Sequence, residues 1–265
     1  TSMRMEMSQL ETAGQVAVID SQVMEEQRAT TLGDVLKNDA SVSAGGTGRN
    51  RERFSLRGFD VESSSGFLRD GHQHWSHYRQ PVELLERVEV LKGPSGLLYG
   101  ISAPGGLINM VAKKPTYDTQ VQVSQDIGSD DQSRTMVDVS GSLNDAQTLR
   151  ARTVVSKESY SSWRTYGDGS KPQTERLVAG LFVDYDVNDD ITVSVHYDKT
   201  NDKGSVDSGA VYTLDSQLVG SKEHIWDAQW SEIENDVENI GFNVNVTLTD
   251  VWSLKTGYNL SLIHI

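Results

Sequence analysis

From residue 119 to residue 262 the chain keeps a period of two, and this narrows its possible folds more than any other feature. Ile191, Val193, Val195 and Tyr197 alternate with Thr192, Ser194, His196 and Asp198. Ile240, Phe242, Val244, Val246 and Leu248 alternate with Gly241, Asn243, Asn245 and Thr247. Leu177, Ala179, Leu181, Val183 and Tyr185 repeat the pattern less cleanly, and weaker versions run through 119–127, 135–143, 148–156 and 252–262. Successive side chains of a strand point to opposite faces, so these stretches predict about seven antiparallel strands, each with one apolar face. Most approach the ~9–11 residues with which a tilted strand crosses a bilayer. A soluble β-sandwich shows the same half-buried alternation.

The connections separate those two folds. Segments 144–147, 187–190 and 249–251 are short turns after the second, fourth and sixth strands, whereas 158–174 and 200–236 are long. Apart from a short first loop at 128–133, short and long connections alternate. Membrane barrels sort their loops this way because the turns on one side are tight and the loops on the other are long. A sandwich has no reason to do so. The longest loop is rich in acids against only Lys203 and Lys222, which suits a solvated surface.

Composition is consistent with a barrel and excludes several alternatives. Hydrophobic residues are 36% of the 265, and mean hydropathy is −0.46. No run approaches the roughly 18 apolar residues of a membrane-crossing helix. Cysteine is absent, which removes disulfides, thiolate metal sites and a cysteine nucleophile. The net charge of −14 argues against a general nucleic-acid binder. That charge is uneven: residues 1–115 carry a net −1 and residues 116–265 a net −13.

The first half reads as a compact α+β unit. Gln15 to Ile19 is a short strand, with Asp20 or Ser21 placed to cap a helix through Val23 to Gln27. Thr30 or Thr31 can cap a second helix that carries Leu32, Val35 and Leu36 on one side. Further strands are predicted at 53–56, 87–91 and 107–112. Glycines cluster at Gly45, Gly46 and Gly48, at Gly93, Gly96 and Gly100, and at Gly105 and Gly106. Gly93-Pro94 and Gly96 form a turn ending one strand, and Pro104-Gly105-Gly106 a tight turn feeding the last. Pro115 closes the unit, so the domains are read as 1–115 and 116–265.

Several long motifs in this unit then agree with one family. Glu86-Arg-Val-Glu-Val-Leu-Lys-Gly-Pro-Ser-Gly-Leu-Leu-Tyr-Gly100 and Pro104-Gly-Gly-Leu-Ile-Asn-Met-Val-Ala-Lys-Lys-Pro115 resemble the plug signature of TonB-dependent outer-membrane receptors. Val18-Ile19-Asp20, Leu32 to Asn38, Ser41-Val42-Ser43, Arg57-Gly-Phe59 and Asp70-Gly71 fit upstream in order. Within that family the chain most resembles the ferric-siderophore branch, which includes ferrichrome, coprogen and pyoverdine receptors. The resemblance implies an α+β plug followed by the first strands of a barrel of about 22. About fifteen further strands would then lie downstream, with 261–265 an end produced by truncation. It also implies a bacterial outer-membrane location and contact with outer-membrane lipid and lipopolysaccharide. Energy would come from TonB (with ExbB and ExbD), gripping a TonB box upstream of Thr1, since residues 1–8 do not look like one. Neither a signal peptide nor a signalling domain is visible in these residues.

Charged residues beside apolar strand positions need partners. The resemblance implies that Arg57, Arg87 and Glu89 make ionic contacts between plug and wall, with Arg57 and Arg87 pairing with barrel acids. No nucleophile elbow, P-loop or paired acid–base constellation is present, so no enzyme is expected.

A binding site is expected on two plug loops. Segment 45–53 offers Arg49 and Arg51 on a glycine-rich stretch, and 71–80 offers His74, Trp75, His77 and Tyr78 with Arg79. An aromatic cup with a few cations suits a ferric siderophore. Rings cover the apolar rim of the chelate, and arginines donate to its hydroxamate or catecholate oxygens. In ferrichrome receptors an arginine and aromatic residues of apical plug loops serve this purpose, and the resemblance points to Arg49 or Arg51 and Trp75 or Tyr78. Tyr160, Trp163 and Tyr166 in the first long loop are candidates to complete the cup, or for structural or girdle roles. His72, His74 and His77 also offer a histidine cluster for zinc, copper or haem iron. The blander reading is a polar loop, because a siderophore already fills the coordination shell of its iron. A soluble carbohydrate-binding β protein is a further alternative, which the plug motifs disfavour.

Overall fold

The computed structural model describes residues 14–45, 51–93 and 104–265. They fall into two compact units that divide between Lys113 and Lys114. The readings on 1–8, Arg49 and the Pro94–Gly96 turn lie outside the described residues.

In the first unit, β1 (Gln15–Asp20) leads into α1 (Ser21–Glu26) and α2 (Leu32–Leu36). Asp20 caps α1 by accepting from the Val23 amide at 3.0 Å. Thr31 caps α2 reciprocally: its hydroxyl accepts from Asp34 N at 3.0 Å, and the Asp34 carboxylate accepts from Thr31 N at 3.2 Å. Both helices are short and owe their stability to packing rather than to propensity. Leu32, Val35 and Leu36 are fully buried, each worth roughly 1.5–3 kcal/mol of burial.

Short strands follow: β2 (Val42–Gly45), β3 (Arg53–Leu56), β4 (Phe59–Asp60), β5 (Phe67–Arg69) and β6 (His72–Gln73). A 3-10 turn (Val82–Leu84) precedes β7 (Leu85–Lys92) and β8 (Gly106–Ala112). One sheet runs β1-β7-β8-β5-β6 with β5 parallel to β8, and a second runs β2-β3-β4. Two of the family motifs are hairpin turns. Arg57 and Gly58 have φ of 55° and 82°, and Asp70 and Gly71 have 51° and 81°. Each pair joins directly opposed strand residues, Leu56 with Phe59 and Arg69 with His72. Two consecutive positive φ values make a turn whose twist suits the hairpin. Gly105 and Gly106 answer to close approach instead. A Cβ on Gly105 would sit 2.3 Å from Leu56 O, and one on Gly106 2.0 Å from Leu91 O.

The core of this unit gathers Ile19, Met24, Phe54, Leu56, Phe67, Val88, Val90, Ile108 and Met110 around the two helices. On the other face of β7 Glu89 is buried and accepts from Arg87 Nε at 2.9 Å and Asn109 Nδ2 at 3.1 Å. Arg87 therefore pairs with its neighbour on the same face of β7, while Arg57 stands exposed on its hairpin turn.

The second unit is an antiparallel meander of β9 (Gln120–Ile127), β10 (Ser133–Ser142), β11 (Leu149–Ser161), β12 (Gln173–Asn188), β13 (Ile191–Ser205), β14 (Glu232–Thr249) and β15 (Trp252–His264). Strands lie where the alternation places them, but several run further, so the long loops shrink to 162–172 and 206–231. The extension has a physical cause. Asp126, Arg134, Glu158, Arg176, Asp202 and Asn235 oppose one another in a single row across six strands, with alternating charge. Opposite charges directly across a ladder stabilise it, so pairing continues past the last apolar residue. Arg134 binds Asp126 at 2.8 Å in this row. Ser261–His264, read as an end produced by truncation, continue β15 opposite Asp236–Asn239.

The two faces of this sheet have reversed polarity. Val139, Thr153, Leu181, Tyr197, Ile240 and Leu260 share one row, and every one is exposed. On the opposite face the row Asp138, Val154, Gly180, Asp198 and Asn239 is buried, as is the alternating-charge row from Arg134 to Asn235. A water-soluble sandwich buries its apolar face. Exposed valine, leucine and aromatic side chains backed by buried arginines and acids are what a barrel strand presents to lipid and lumen. No described helix is long and apolar enough to cross a membrane, which says nothing about strands.

Candidate functional site

The 71–80 segment is an extended, inward-packed strap rather than an open loop. Its amides anchor it: His74 N donates to Phe67 O at 3.0 Å and Ser76 N to Ser63 O at 2.9 Å. At its far end Gln80 N donates to Glu52 Oε2 at 3.0 Å, while Gly33 N donates to Glu52 Oε1 at 3.0 Å. One carboxylate thus ties the strap, the start of α2 and the residue beside Arg51 together. Arg79, which the sequence offers as a loop cation, is buried and gives two hydrogen bonds to Thr30 O at 3.1 and 2.8 Å.

An extended backbone sends alternate side chains to opposite sides, and here it splits the expected ligand set. His74, Ser76 and Tyr78 turn inward and are buried; Trp75 is exposed and His77 half-buried. Tyr78 OH and Gln80 Oε1 each lie 3.2 Å from His74 Nε2. His74 and Tyr78, two of the expected ligand residues, thus lie buried and form a polar knot under the strap.

What remains outward is Trp75, His77 and Arg51. The Trp75 ring lies 5.6 Å from that of His77 and 6.1 Å from that of Tyr78, so it rests on the knot below. His77 Nδ1 is 3.3 Å from Ser63 Oγ. Burial, then the charges of Arg51 and Arg53, hold its imidazole below the usual histidine range. Two exposed guanidiniums beside a histidine whose protonation they disfavour form a locally cationic rim next to an exposed indole. Such a rim favours an anionic, partly aromatic ligand.

The histidine-cluster alternative finds no geometry. Among the described residues no three His, Asp or Glu side chains come together to hold a metal ion. His72 pairs in β6, His74 is engaged by Tyr78 and Gln80, and His77 stands beside Ser63.

In the second unit Tyr160 belongs to the end of β11 rather than to the loop. Trp163 is 56% exposed, whereas Tyr166 is buried. The sequence reading also passed over Trp226 in the second long loop, half exposed and edge-on to His224 at 4.7 Å. Its only signal was an aromatic residue in an acid-rich loop.

Comparison with known proteins places this geometry. Residues 8–107 match the TonB-dependent Receptor Plug Domain family. The ferripyoverdine receptor of Pseudomonas aeruginosa is 28% identical over 264 residues, covering 95% of this chain and 32% of that receptor. The catecholate siderophore receptor Fiu of Escherichia coli is 36% identical over 152 residues, covering 56% of this chain and 20% of that receptor. The chain therefore spans about a third or less of the length of these curated relatives. A crystal structure of the P. aeruginosa receptor bound to ferripyoverdine superposes with a TM-score of 0.87 at 23% identity, over 98% of this chain and 35% of that one. That likeness carries the fold.

Proposed function

We propose, from the premise that this chain carries a plug of the TonB-dependent receptor family and wall strands that follow it in sequence, that it belongs to an outer-membrane importer of ferric siderophores. The observation that carries the reading is the reversed polarity of the sheet behind a plug-family segment. A wall with apolar residues outward and ionic rows inward is stable only with lipid on one side and a polar lumen on the other. The complete wall is a barrel of about 22 strands, in contact with outer-membrane lipid and lipopolysaccharide.

The ligand is an Fe3+ chelate that is itself the cargo, so no resident cofactor is involved. Trp75 covers its apolar rim. Arg51 donates to its anionic oxygens, and His77 contributes a neutral donor or acceptor at the edge. Trp163, exposed on a long loop of the second unit, is a separate aromatic candidate, with Tyr160 and Tyr166 close to it in sequence. The Arg87–Glu89 pair keeps one face of β7 ionic. Binding at the rim precedes a plug rearrangement driven by TonB from the inner membrane, because the outer membrane has no nucleotide supply.

Tryptophan-fluorescence titration of the full-length receptor tests this assignment. The titrants are ferripyoverdine, a ferric catecholate, ferrioxamine B, haem and zinc chloride. Saturable quenching by at least one ferric siderophore is expected. Quenching by haem or zinc alone overturns the siderophore reading.

A further inference from the structure

We propose that Arg164 is a positioning residue whose buried guanidinium fastens the two long loops, 162–172 and 206–231, into one body. The residue lies outside the expected ligand set, and the proposal does not depend on which chelate is bound.

Arg164 is 4% exposed, although it lies in a loop. A guanidinium carries five N–H donors in a fixed fork and no acceptor, so burial requires acceptors on several sides. Here they come from both arms of the other loop. Nε donates to Lys222 O at 2.9 Å, and Nη2 donates to Gly209 O at 3.0 Å and to His224 O. Nη1 donates to the Asp207 carboxylate, which also accepts from Gly209 N at 3.0 Å. Asp207 and Gly209 lie on the arm leaving β13, and Lys222 and His224 on the arm returning to β14. One side chain therefore closes the base of the second loop while belonging to the first.

The backbone repeats the connection. Thr165 N donates to Glu223 O and Ile225 N to Thr165 O, each at 2.8 Å, giving a parallel bridge between Thr165 and His224. Further out, Gln229 Nε2 donates to Asp168 Oδ2 at 2.8 Å. Above the base the second loop folds on itself. Tyr212 bridges Leu218, Val219 N donates to Val211 O at 2.8 Å, and Ser216 turns the chain with φ of 63°. This small hairpin carries Tyr212, Leu214 and Leu218 exposed, and Trp163 and Trp226 are exposed beside the base. A hairpin tip with so little burial of its own is held in place only through its base.

Withdrawing the guanidinium takes one shared donor from the Asp207 carboxylate and three carbonyls, a loss the local structure answers by loosening. The backbone bridge at Thr165 and the Gln229–Asp168 bond then hold the two loops alone, and the spacing between Trp163 and the hairpin tip broadens.

The test uses the full-length receptor in outer-membrane vesicles. Spin labels are placed at Trp163→Cys and Leu214→Cys; these 265 residues hold no cysteine, and any cysteine elsewhere in the receptor is replaced by serine. Electron–electron resonance is expected to give one narrow distance distribution in the Arg164 parent and a distribution at least ~2-fold broader in Arg164→Ala. Tryptic cleavage after Lys222 is expected to accelerate by ~10-fold or more in Arg164→Ala. Arg164→Lys is expected to behave like the alanine variant, because an ammonium cannot serve both arms at once. Unchanged width and cleavage in Arg164→Ala, or full rescue by lysine, overturns the proposal. Should Arg164→Ala fail to assemble, Asp207→Ala serves in its place: ~3-fold faster cleavage supports the proposal, and parental cleavage overturns it.

Discussion

Leu181 stands at the centre of the exposed apolar face, and replacing it with arginine separates a lipid-facing wall from a wet one. Outward residues of β12 run from Leu177 through Ala179, Leu181 and Val183 to Tyr185. At about 3.3 Å per residue and a tilt near 40°, that stretch spans about 20 Å along the membrane normal, most of the ~25 Å apolar band of such a barrel. Leu181, 45% exposed, therefore sits near the midplane. Arginine at that depth costs about 2–4 kcal/mol, a loss of roughly 30- to 1000-fold in the folding constant, falling to ~0–1 kcal/mol near the interface. The same substitution on a water-facing strand costs no more than ~0.5 kcal/mol. The assay is urea-driven unfolding of the full-length receptor in phosphatidylcholine vesicles, followed by tryptophan fluorescence, for Leu181→Arg and Leu177→Arg. Leu181→Arg within ~0.5 kcal/mol of the parent refutes the membrane assignment, and equal costs at the two positions refute the depth assignment.

Three further outcomes are expected. Gly106→Ala forces φ of 135° on an L-residue against Leu91 O, costing about 1–3 kcal/mol from conformation alone; amide exchange in β8 should accelerate, whereas Gly71→Ala, which meets no neighbour within 4 Å, should cost less. Arg51→Ala and Trp75→Ala should each weaken retention of radiolabelled ferric chelate by ~10-fold or more at unchanged melting temperature; Tyr78→Phe, which removes the buried bond to His74, should instead cost ~1 kcal/mol of stability and leave affinity intact. Burial and then Arg51 and Arg53 depress the His77 pKa, so the unfolded state binds the proton more tightly. Its stability contribution is full above about pH 6.5 and declines as pH falls toward the lower folded-state value; His77→Gln should flatten that limb in a plug-protection profile between pH 5 and 7.5, and an unchanged slope counts against the assignment.

Much of the fold was legible because it is local. Period-two alternation is a direct consequence of strand geometry, and it located every strand of the meander. Thr30 or Thr31 ahead of an apolar helix face announced a helix start in the same way, whereas Asp70-Gly71 was read as a family motif and not as the hairpin it forms. Alternation could not say which face is buried, since a sandwich and a membrane wall write the same pattern; only the row from Arg134 to Asn235, assembled from five strands, discloses it. Strand ends were misjudged for the same reason, because Glu158 and Arg176 read as loop charges until they are set opposite each other. In the strap, the alternation of His74, Ser76 and Tyr78 with Trp75 and His77 was present in the sequence, yet grouping the segment by composition hid it. Arg164 had no local signal at all. Its acceptors are backbone carbonyls and one acid 43 to 60 residues away, and carbonyl acceptors leave no trace in residue identity.

The central claim is import, and radiolabelled iron measures it directly. Cells lacking their own siderophore receptors would carry the full-length protein and be offered iron as ferripyoverdine, as a ferric catecholate or as ferrioxamine B, with TonB present or deleted. The account predicts that at least one chelate accumulates inside TonB-positive cells and only binds to the surface of TonB-negative ones. Equal accumulation with and without TonB, or no accumulation of any ferric siderophore by cells that display the receptor, contradicts it.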